Sequence, residues 1–227
     1  SARKLQHGGV LYEVDSPQTT TWFKDPANRS GFLTHFGHDL IIKDRTYQTL
    51  LENVPITFDP NSPVCVTEIE VKAGFKTNEI TKARYIKPVA RRNPGQRTAH
   101  AIFTFKSKNA ANHAIRFGLT IEGRKVYGRK LIPEPARCLK CHSIGGNHMA
   151  ADCPQDHDTC GTCGANHRTS TCGVDNPELY FCVNCQSNDH AAWNRDCPTF
   201  IRKCETHRGR QEDHRYIYFP TDDPLTW

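Results

Sequence analysis

The sequence predicts an α+β protein, and three observations support this prediction. Over residues 1–132, short runs of β-branched and aromatic residues alternate with segments of helical periodicity. Between Cys138 and Cys197, nine cysteines and three histidines fall into three consecutive sets with one spacing pattern. Basic residues are concentrated before this cysteine-rich part and not within it. We therefore divide the chain into residues 1–46, 47–136, 137–198 and 199–227.

The first region is expected to form a strand, a helix and a second strand. Residues 10–14 and 40–42 are rich in aliphatic residues, which favours strands at these positions. Ser16 followed by proline is typical of a helix start. The helix is expected to be interrupted near Pro26, to resume after it and to end at Gly37.

The second region has a fuller alternation. Strands are predicted over residues 47–54, 80–87, 98–105 and 126–132, and helices over residues 62–74 and 107–117. The order βαββαβ is the ferredoxin-like arrangement that the RNA recognition motif uses. The first region resembles the last third of this unit, so we expect it to be a partial second copy.

The strand over residues 98–105 resembles the octamer signature of the RNA recognition motif. This comparison places four side chains in the core, namely Ala99, Ala101, Phe103 and Phe105. His100 and Ile102 then occupy positions where base-stacking rings normally lie, as does Leu50 on the first strand. We therefore expect binding that is led by the phosphate backbone and weakly selective for sequence. Two alternatives stay open: His100 is a partly covered surface histidine, and Leu50 and Ile102 lie beneath a neighbouring segment.

The charge is strongly segregated along the chain. From Lys82 to Lys130 there are 13 basic residues and one acidic residue, a net charge of +12, whereas residues 137–198 carry −3. A charge run is usually a solvated face, but this density beside Cys/His sets favours phosphate binding. The candidate nucleic-acid-binding residues are Arg84, Lys87, Arg91, Arg92, Arg97, His100, Arg124, Lys125, Arg129, Lys130 and, in the third Cys/His set, Trp193.

The three Cys/His sets have the spacing of zinc ligands. They are Cys138, Cys141, His148 and Cys153; Cys160, Cys163, His167 and Cys172; and Cys182, Cys185, His190 and Cys197. Zinc prefers four such ligands in a tetrahedron, and three complete sets leave no position for water or substrate. The sets are therefore predicted to hold three structural Zn²⁺ ions and to need them for folding. A disulfide framework is the alternative, which the odd total of 11 cysteines disfavours.

Several side chains near these sets have competing interpretations. Trp193 could stack on an unpaired base or pack on its own zinc loop. The middle set is expected to be a spacer or a protein contact. Cys204 and His207 are interpreted as bystanders, because all three sets are already complete, and Cys65 as a helix-packing cysteine.

The ends of the cysteine-rich part are simpler. Residues 133–135, Pro-Glu-Pro, form a stiff joint before it. A short helix is predicted over residues 200–206, followed by an aromatic tail over residues 216–227. The tail is expected either to fold back on the cysteine-rich part or to dock a partner.

The composition excludes some classes of protein. There is no apolar run of 18 or more residues, so we expect no membrane span, and the first residues lack the apolar stretch of a secretory signal. Cysteines that serve as reduced ligands imply the cytosol or the nucleus. The sequence does not begin with Met, so we expect it to be part of a longer protein.

Six stretches together carry a family resemblance: residues 83–88, 98–105, 129–141, 160–168, 190–198 and 218–227. They resemble the Gag-like first-frame protein of jockey/Tad-type non-LTR retrotransposons over essentially the whole chain. The resemblance implies a protein that coats the element's own transcript in a ribonucleoprotein particle, often with nucleic-acid chaperone behaviour. It also implies that the twelve cysteines and histidines above are zinc ligands. One departure is a first gap two residues longer than the usual four, which makes His142 a rival to His148, although His142 adjoins Cys141 and would strain the chelate.

The sequence therefore predicts a non-enzymatic, zinc-dependent protein that binds RNA and single-stranded nucleic acid. The expected location is a cytoplasmic ribonucleoprotein or the nucleus, with self-association and the element's reverse transcriptase as further partners, and with no membrane or small-molecule substrate. The alternatives are a host RNA-processing factor built from the same modules and a protein-assembly module that uses the acidic zinc knuckles. The sequence contains no recognisable arrangement of a catalytic nucleophile with a general base and no phosphate-binding Gly-rich loop, which disfavours an enzyme.

Overall fold

The computed structural model describes residues 1–4, 9–35, 40–146, 148–209 and 212–227. The chain divides into two units, Ser1–Arg45 and Thr46–Trp227. The first holds two short strands and two helices, and the second holds an antiparallel sheet, further helices and the Cys/His-rich region. Among the described residues, no helix is both long enough and apolar enough to cross a membrane.

The first unit is a short hairpin followed by two consecutive helices. Its elements are β1 (Ala2–Lys4), β2 (Val10–Tyr12), α1 (Pro17–Lys24) and α2 (Pro26–Thr34), and β1 and β2 pair in antiparallel orientation. Each helix begins with a side-chain cap followed by proline: the Ser16 hydroxyl and the Asp25 carboxylate accept backbone N–H groups of the first turns. The Phe23 and Phe32 rings then meet edge to face, 4.9 Å apart, and join the two helices.

Two predictions for this unit have different outcomes. The interruption near Pro26 is confirmed, because proline cannot donate the next helical hydrogen bond and Asp25 caps a new helix instead. The strand over residues 40–42 is wrong: described residues 40–46 form no regular element, and β2 pairs with β1. The predicted helix end at Gly37 lies outside the described residues.

The second unit begins with a sheet domain, residues 47–130. Its four-stranded antiparallel sheet contains β3 (Tyr47–Pro55), β4 (Ile80–Tyr85), β5 (Thr98–Phe105) and β8 (Gly128–Lys130), in the order β4-β5-β3-β8. Helix α3 (Pro63–Ala73) connects β3 to β4, and α4 (Lys108–Arg116) follows β5. A separate two-stranded ribbon, β6 (Leu119–Ile121) and β7 (Arg124–Val126), precedes β8.

The helices of the sheet domain begin and end where the sequence predicts. The Ser62 hydroxyl accepts from the Cys65 amide at 3.4 Å, and Gly74 ends α3 with a φ of +69°. The Ser107 hydroxyl caps α4 by accepting from the Ala110 amide at 3.2 Å. Local capping chemistry therefore determines both helices.

The core of the sheet domain contains the side chains predicted for β5. Phe103, Phe105 and Ala101 are fully buried, and Ala99 is 6% exposed. Phe103 stacks on Phe58 with ring centres 5.7 Å apart. Three of these side chains lie in one apolar cluster with side chains of α3 and α4, so burial of apolar surface holds the helices on the sheet. Cys65 packs against the same cluster, as predicted.

The last predicted strand, residues 126–132, divides into two short strands. Glu122 and Gly123 both have positive φ, 47° and 72°, which makes the two-residue hairpin turn that pairs β7 with β6. The chain then passes Gly128, where an added Cβ would lie 3.3 Å from the Ala114 carbonyl oxygen, and β8 pairs with β3. The prediction treated residues 126–132 as one strand, whereas Val126 pairs with Leu119 of the ribbon and Gly128–Lys130 pair with β3.

The C-terminal segment returns to the sheet domain. Helix α5 (Pro198–Gly209) follows the cysteine-rich part, as predicted over residues 200–206. Phe219 then enters the apolar cluster of the sheet domain and is 7% exposed. Its amide donates to Asn112 Oδ1 and its carbonyl accepts from Asn112 Nδ2, each at 2.8 Å. The tail therefore folds back on α4 of the sheet domain and not on the cysteine-rich part, whereas docking of a partner stays a prediction.

Candidate metal centres and nucleic-acid surface

The three Cys/His sets share one backbone turn, and we call them the first, second and third knuckles, beginning at Cys138, Cys160 and Cys182. In each knuckle the first cysteine's carbonyl accepts the amide four residues later, at 2.8–2.9 Å, and its amide donates to the carbonyl five residues later, at 2.8–3.0 Å. The residue four positions after the first cysteine has positive φ in all three: His142, Gly164 and Gln186. This turn brings the two sulfurs of each Cys-x-x-Cys motif to one side.

The twelve predicted ligands form three groups. Their members are Cys138, Cys141, His148 and Cys153; Cys160, Cys163, His167 and Cys172; and Cys182, Cys185, His190 and Cys197, and the ligand atoms in each group lie within 4.8 Å of one another. The Sγ atoms of Cys182 and Cys185 are 3.7 and 3.3 Å from that of Cys197. A tetrahedron with zinc–sulfur bonds of about 2.3 Å has edges of about 3.8 Å. Each group could therefore hold one zinc ion.

The histidines are oriented as zinc ligands require. His148 Nδ1 lies 3.0 Å from the Gly146 carbonyl oxygen, which fixes its tautomer and leaves Nε2 facing Cys141 Sγ at 3.3 Å. His190 Nε2 is buried and has no hydrogen-bond partner among the described residues, although it belongs to the third group. A buried nitrogen without a donor or acceptor is costly, and a metal ion there would satisfy it.

Each knuckle contains one thiol that ionises readily. Burial opposes ionisation of Cys138, but hydrogen bonds from the backbone amides of its own turn outweigh burial and lower its pKa to about 7. The same balance lowers the pKa of Cys160 to about 6. Burial also opposes ionisation of Cys185, but hydrogen bonds from Thr199 lower its pKa to about 6.

Two thiols of the first and third knuckles resist ionisation. Burial, followed by the neighbouring thiols, raises the pKa of Cys141 and of Cys197 to about 11. Three thiolates this close repel each other unless a cation lies between them, so each group favours binding of a divalent ion that offsets this repulsion.

His142, the rival ligand of the first knuckle, faces the second knuckle instead. A Cβ added to Gly161 would lie 2.9 Å from its Cε1, and its Nε2 is 3.1 Å from Thr169 Oγ1. Burial, followed by the charge of Arg137, lowers the pKa of His142. The choice of His148 as ligand agrees with the first group. Asn147, in the long gap, lies outside the described residues.

Trp193 packs on the second knuckle, which neither interpretation of the sequence anticipated. Its indole N–H donates to Thr162 Oγ1 at 3.1 Å, and its ring meets Tyr180 edge to face at 5.8 Å. The side chain is still 47% exposed. Part of the ring therefore remains accessible to a base, while its N–H is engaged.

On the sheet domain, one row of side chains crosses the sheet from edge to edge. Arg84 is opposite Ile102, Ile102 is opposite Leu50, and Leu50 is opposite Arg129. Directly opposite residues share a face of the sheet, so these four side chains lie on one face. The arginines at the two ends of the row are exposed. Ile102 and Leu50 are 6% and 4% exposed, which agrees with the alternative that they are covered. The row offers no aromatic ring to a base.

His100 lies beside this row and is exposed. Its Nδ1 accepts from the amide of Asn53 at 3.4 Å. Asn53 has a φ of +58° and lies in the bulge where the register of β3 shifts between Leu51 and Val54. The bulge therefore occupies one nitrogen of the ring and leaves Nε2 as its donor.

The predicted cations lie mainly on the surface. Those exposed are Arg84, Lys87, Arg91, Arg97, Arg124, Lys125 and Arg129. Arg129 forms an ion pair with Glu52 at 3.0 Å. The Arg92 guanidinium is partly covered and lies 4.3 Å from the centre of the Tyr85 ring. These residues give the sheet domain a strongly basic set of exposed side chains.

Lys130 is not part of this surface, so its assignment to nucleic-acid binding is wrong. The residue is 6% exposed, and its ammonium lies 4.5 Å from the centre of the Phe219 ring. It donates to the carbonyl of Tyr218 at 3.1 Å and to that of Asp213. The returning tail therefore occupies this lysine, which a charge count along the sequence cannot distinguish from an exposed one.

The arrangement has two chemical capacities: three groups that could hold zinc, and an exposed set of cations suited to phosphate. Cys204 and His207 belong to none of the three groups, as predicted. Cys204 packs instead against a small apolar cluster around Phe200. No family model, curated protein or solved structure matches this chain.

Proposed function

We propose that this chain is a zinc-dependent protein that binds RNA and single-stranded nucleic acid, and that it acts as a Gag-like coat protein of a retrotransposon transcript. The observation that carries the proposal is the presence, in one chain, of three complete Cys₃His groups and of a basic surface. Its place of action is a cytoplasmic ribonucleoprotein or the nucleus, and a further copy of the chain and the element's reverse transcriptase are its proposed protein partners.

The proposed role of zinc is structural. All four positions of each group are protein side chains, so a bound ion would keep no position for water or substrate. The twelve ligands would hold three ions, and the ions would supply the folding free energy that a short segment cannot gain from an apolar core. The proposal therefore assigns no catalytic step to this region.

The sheet domain supports backbone-led binding. Its strand order β4-β5-β3-β8, with α3 and α4 as crossovers, supports a ferredoxin-like assignment of the kind found in RNA recognition motifs. The row that crosses the sheet has exposed arginines at its ends and covered aliphatic side chains between them. Cations without stacking rings bind phosphates with little discrimination between bases.

The family part of the proposal is supported by the six sequence stretches and by the knuckle series, which overlaps three of them. Nucleic-acid chaperone behaviour follows from that resemblance. A host RNA-processing factor is the alternative, and it differs in one measurable property: it would prefer one short RNA motif strongly over others.

Salt titration tests the division of labour. Zinc-loaded protein is measured against random RNA, single-stranded DNA and duplex DNA at several salt concentrations. Each single-strand phosphate contact contributes about 0.7 to the slope of log affinity against log salt. Replacing Arg91, Arg97, Arg124 and Lys125 with alanine is expected to reduce the slope by up to about 3 for a single strand.

The control removes four exposed lysines outside the basic segment: Lys24, Lys43, Lys72 and Lys76. This control has the same net charge as the first variant and is expected to keep most of the wild-type slope of log affinity against log salt. Equal slopes in the two variants would contradict the assigned surface. A wild-type protein that binds none of the three nucleic acids at low salt would contradict the proposed function.

A protein-assembly role is the second candidate, and one observation favours it. The knuckles carry a net negative charge and expose Leu139, Met149 and Leu179, which are 75%, 55% and 59% exposed. An acidic surface with exposed apolar side chains suits a basic protein partner better than RNA. In the same titration, this role predicts weak nucleic-acid binding. It also predicts a slope that is the same in the wild type and in the variant that lacks Arg91, Arg97, Arg124 and Lys125.

A further inference from the structure

The three knuckles contact one another through side chains and backbone groups that are not metal ligands. We define residues 138–197 as the knuckle block. Asn184 joins the first and third knuckles: its Nδ2 donates to the His142 carbonyl at 2.9 Å, and its Oδ1 accepts from the Ile144 amide at 3.0 Å. Both groups of one amide side chain are therefore occupied by the turn of another knuckle.

An apolar contact reinforces this junction. Ile144, from the first knuckle, is 4% exposed and belongs to a cluster with Cys182 and Cys197 of the third knuckle and with Phe200 of α5. Two zinc ligands of the third knuckle therefore pack against a residue whose position depends on the turn of the first.

The second knuckle is enclosed from both sides. The Gly161 amide donates to Thr169 Oγ1 at 2.7 Å, and its carbonyl accepts from the Ala192 amide of the third knuckle at 2.8 Å. The His142 ring of the first knuckle covers the open side of Gly161, where any Cβ would lie within 2.9 Å of it. Only glycine leaves room for this contact, which no spacing pattern reveals.

We infer that the three metal sites form one cooperative unit, in which Asn184, His142 and Gly161 couple zinc binding at each knuckle to the other two. A knuckle without its ion loses its fold, and with it the surface that its neighbours contact. Filling one site therefore raises the affinity of the others, and the coupling free energy is reciprocal. The inference rests on the proposed zinc binding and is independent of RNA binding.

Native mass spectrometry of a zinc titration tests it. At half saturation, three equal and independent sites would leave about three quarters of the chains with one or two ions. Independent sites of unequal affinity would leave a still larger fraction of the chains with one or two ions. Cooperative filling is expected to leave fewer than about one quarter in these states, with the metal-free and three-ion forms predominant. The maximum number of ions tests the zinc proposal, and the distribution among the states tests the coupling.

Asn184→Ala is expected to raise the population of one- and two-ion chains while three ions still bind at saturation. Asn194→Ala is the matched control, because among the described residues that side chain accepts from the Asp196 amide of the same knuckle, at 2.9 Å, and from no residue of another knuckle. Asn184→Asp, which places a carboxylate oxygen against the His142 carbonyl oxygen, is expected to raise this population as well. A distribution unchanged by Asn184→Ala would overturn the role of this residue.

A second measurement applies when a variant folds poorly. Cys153→Ser removes one ligand of the first knuckle, and chelator competition then measures the affinity of the two remaining ions. Coupling predicts a fall of about fivefold or more, and a smaller fall when Asn184→Ala is also present. An unchanged affinity of the remaining two ions would show that the knuckles are independent and would overturn the inference.

Discussion

The sheet domain and the knuckle block keep their folds by different means. In the sheet domain the largest fully buried side chains include Phe103, Phe105 and Leu51, and they form one apolar cluster. In the knuckle block the fully buried side chains include Cys138, Cys160, Cys182 and Cys197, and three of these cysteines are first ligands of their knuckles. The sheet domain is stabilised mainly by burial of apolar surface, whereas the knuckle block is proposed to need zinc ions for its fold.

Because their stabilising interactions differ, the sheet domain and the knuckle block should unfold under different conditions. A chelator does not change the stabilisation that comes from apolar burial. The loss of a distant aromatic ring does not change the metal affinity of a Cys₃His site. Each treatment below should therefore affect one domain and leave the other in place.

Removal of zinc is expected to have the largest effect. Structural zinc contributes roughly 10–16 kcal/mol in comparable peptides, so a strong chelator should unfold the knuckle block. Hydrogen exchange measured by mass spectrometry should show lost protection in residues 138–197 and retained protection in β5. Loss of protection in both would mean that the sheet domain also depends on the metal.

Phe103→Ala should have the next largest effect, this time on the sheet domain. Removing a buried phenylalanine costs about 3–5 kcal/mol, because it loses apolar burial and leaves a cavity. The free energy of unfolding of the sheet domain, measured with denaturant, should fall by this amount, while the zinc content per chain stays the same. Phe117→Ala, at a side chain 52% exposed, is the control and should change stability little.

Asn112→Ala tests the attachment of the tail. It leaves the buried amide and carbonyl of Phe219 without their partners, which costs about 1–3 kcal/mol. Exchange of the Phe219 amide should accelerate, and the tail should detach before the sheet unfolds. Asn109→Ala, at an exposed position of the same helix, should leave that amide protected. Equal protection in the two variants would contradict a role for Asn112.

The smallest expected effect is on pH dependence. Burial, followed by Lys125, lowers the pKa of His113 from its ordinary 6.5, and its ring lies between Phe75 and Phe117. The unfolded state therefore binds the proton more readily, so stability decreases as pH falls below about 6.5. His113→Gln should reduce the stability difference between pH 7.5 and pH 6, measured by denaturant unfolding. A variant with an unchanged difference would contradict this assignment.

The features that could be predicted from the sequence depend on local chemistry. Strand β5 and helices α3 and α4 agree with prediction, because the apolar residues of β5 and the Ser62 and Ser107 caps are local features of these segments. The three ligand groups could be predicted because Cys-x-x-Cys spacing reports a turn of fixed geometry. The positive φ shared by His142 and Gln186 carries no such signal.

The features that could not be predicted depend on residues far apart in the chain. Lys130 is covered by the tail, and Phe219 binds a side chain 107 positions earlier. The contact of His142 with Gly161 is likewise visible only when the knuckles are placed together. The split between β7 and β8 lies at Tyr127, after which β8 pairs with β3, a strand much earlier in the chain.

The attachment of Phe219 to α4 has a topological consequence. The chain leaves the sheet at β8, passes through all three knuckles and α5, and is tied again to the same domain. Removal of zinc by a chelator would therefore leave the segment as a loop with both ends attached to the sheet domain, and not as a free tail. A closed loop has fewer conformations to search than an open chain, so the stripped ligands should recapture their ions more readily than the same segment cut loose.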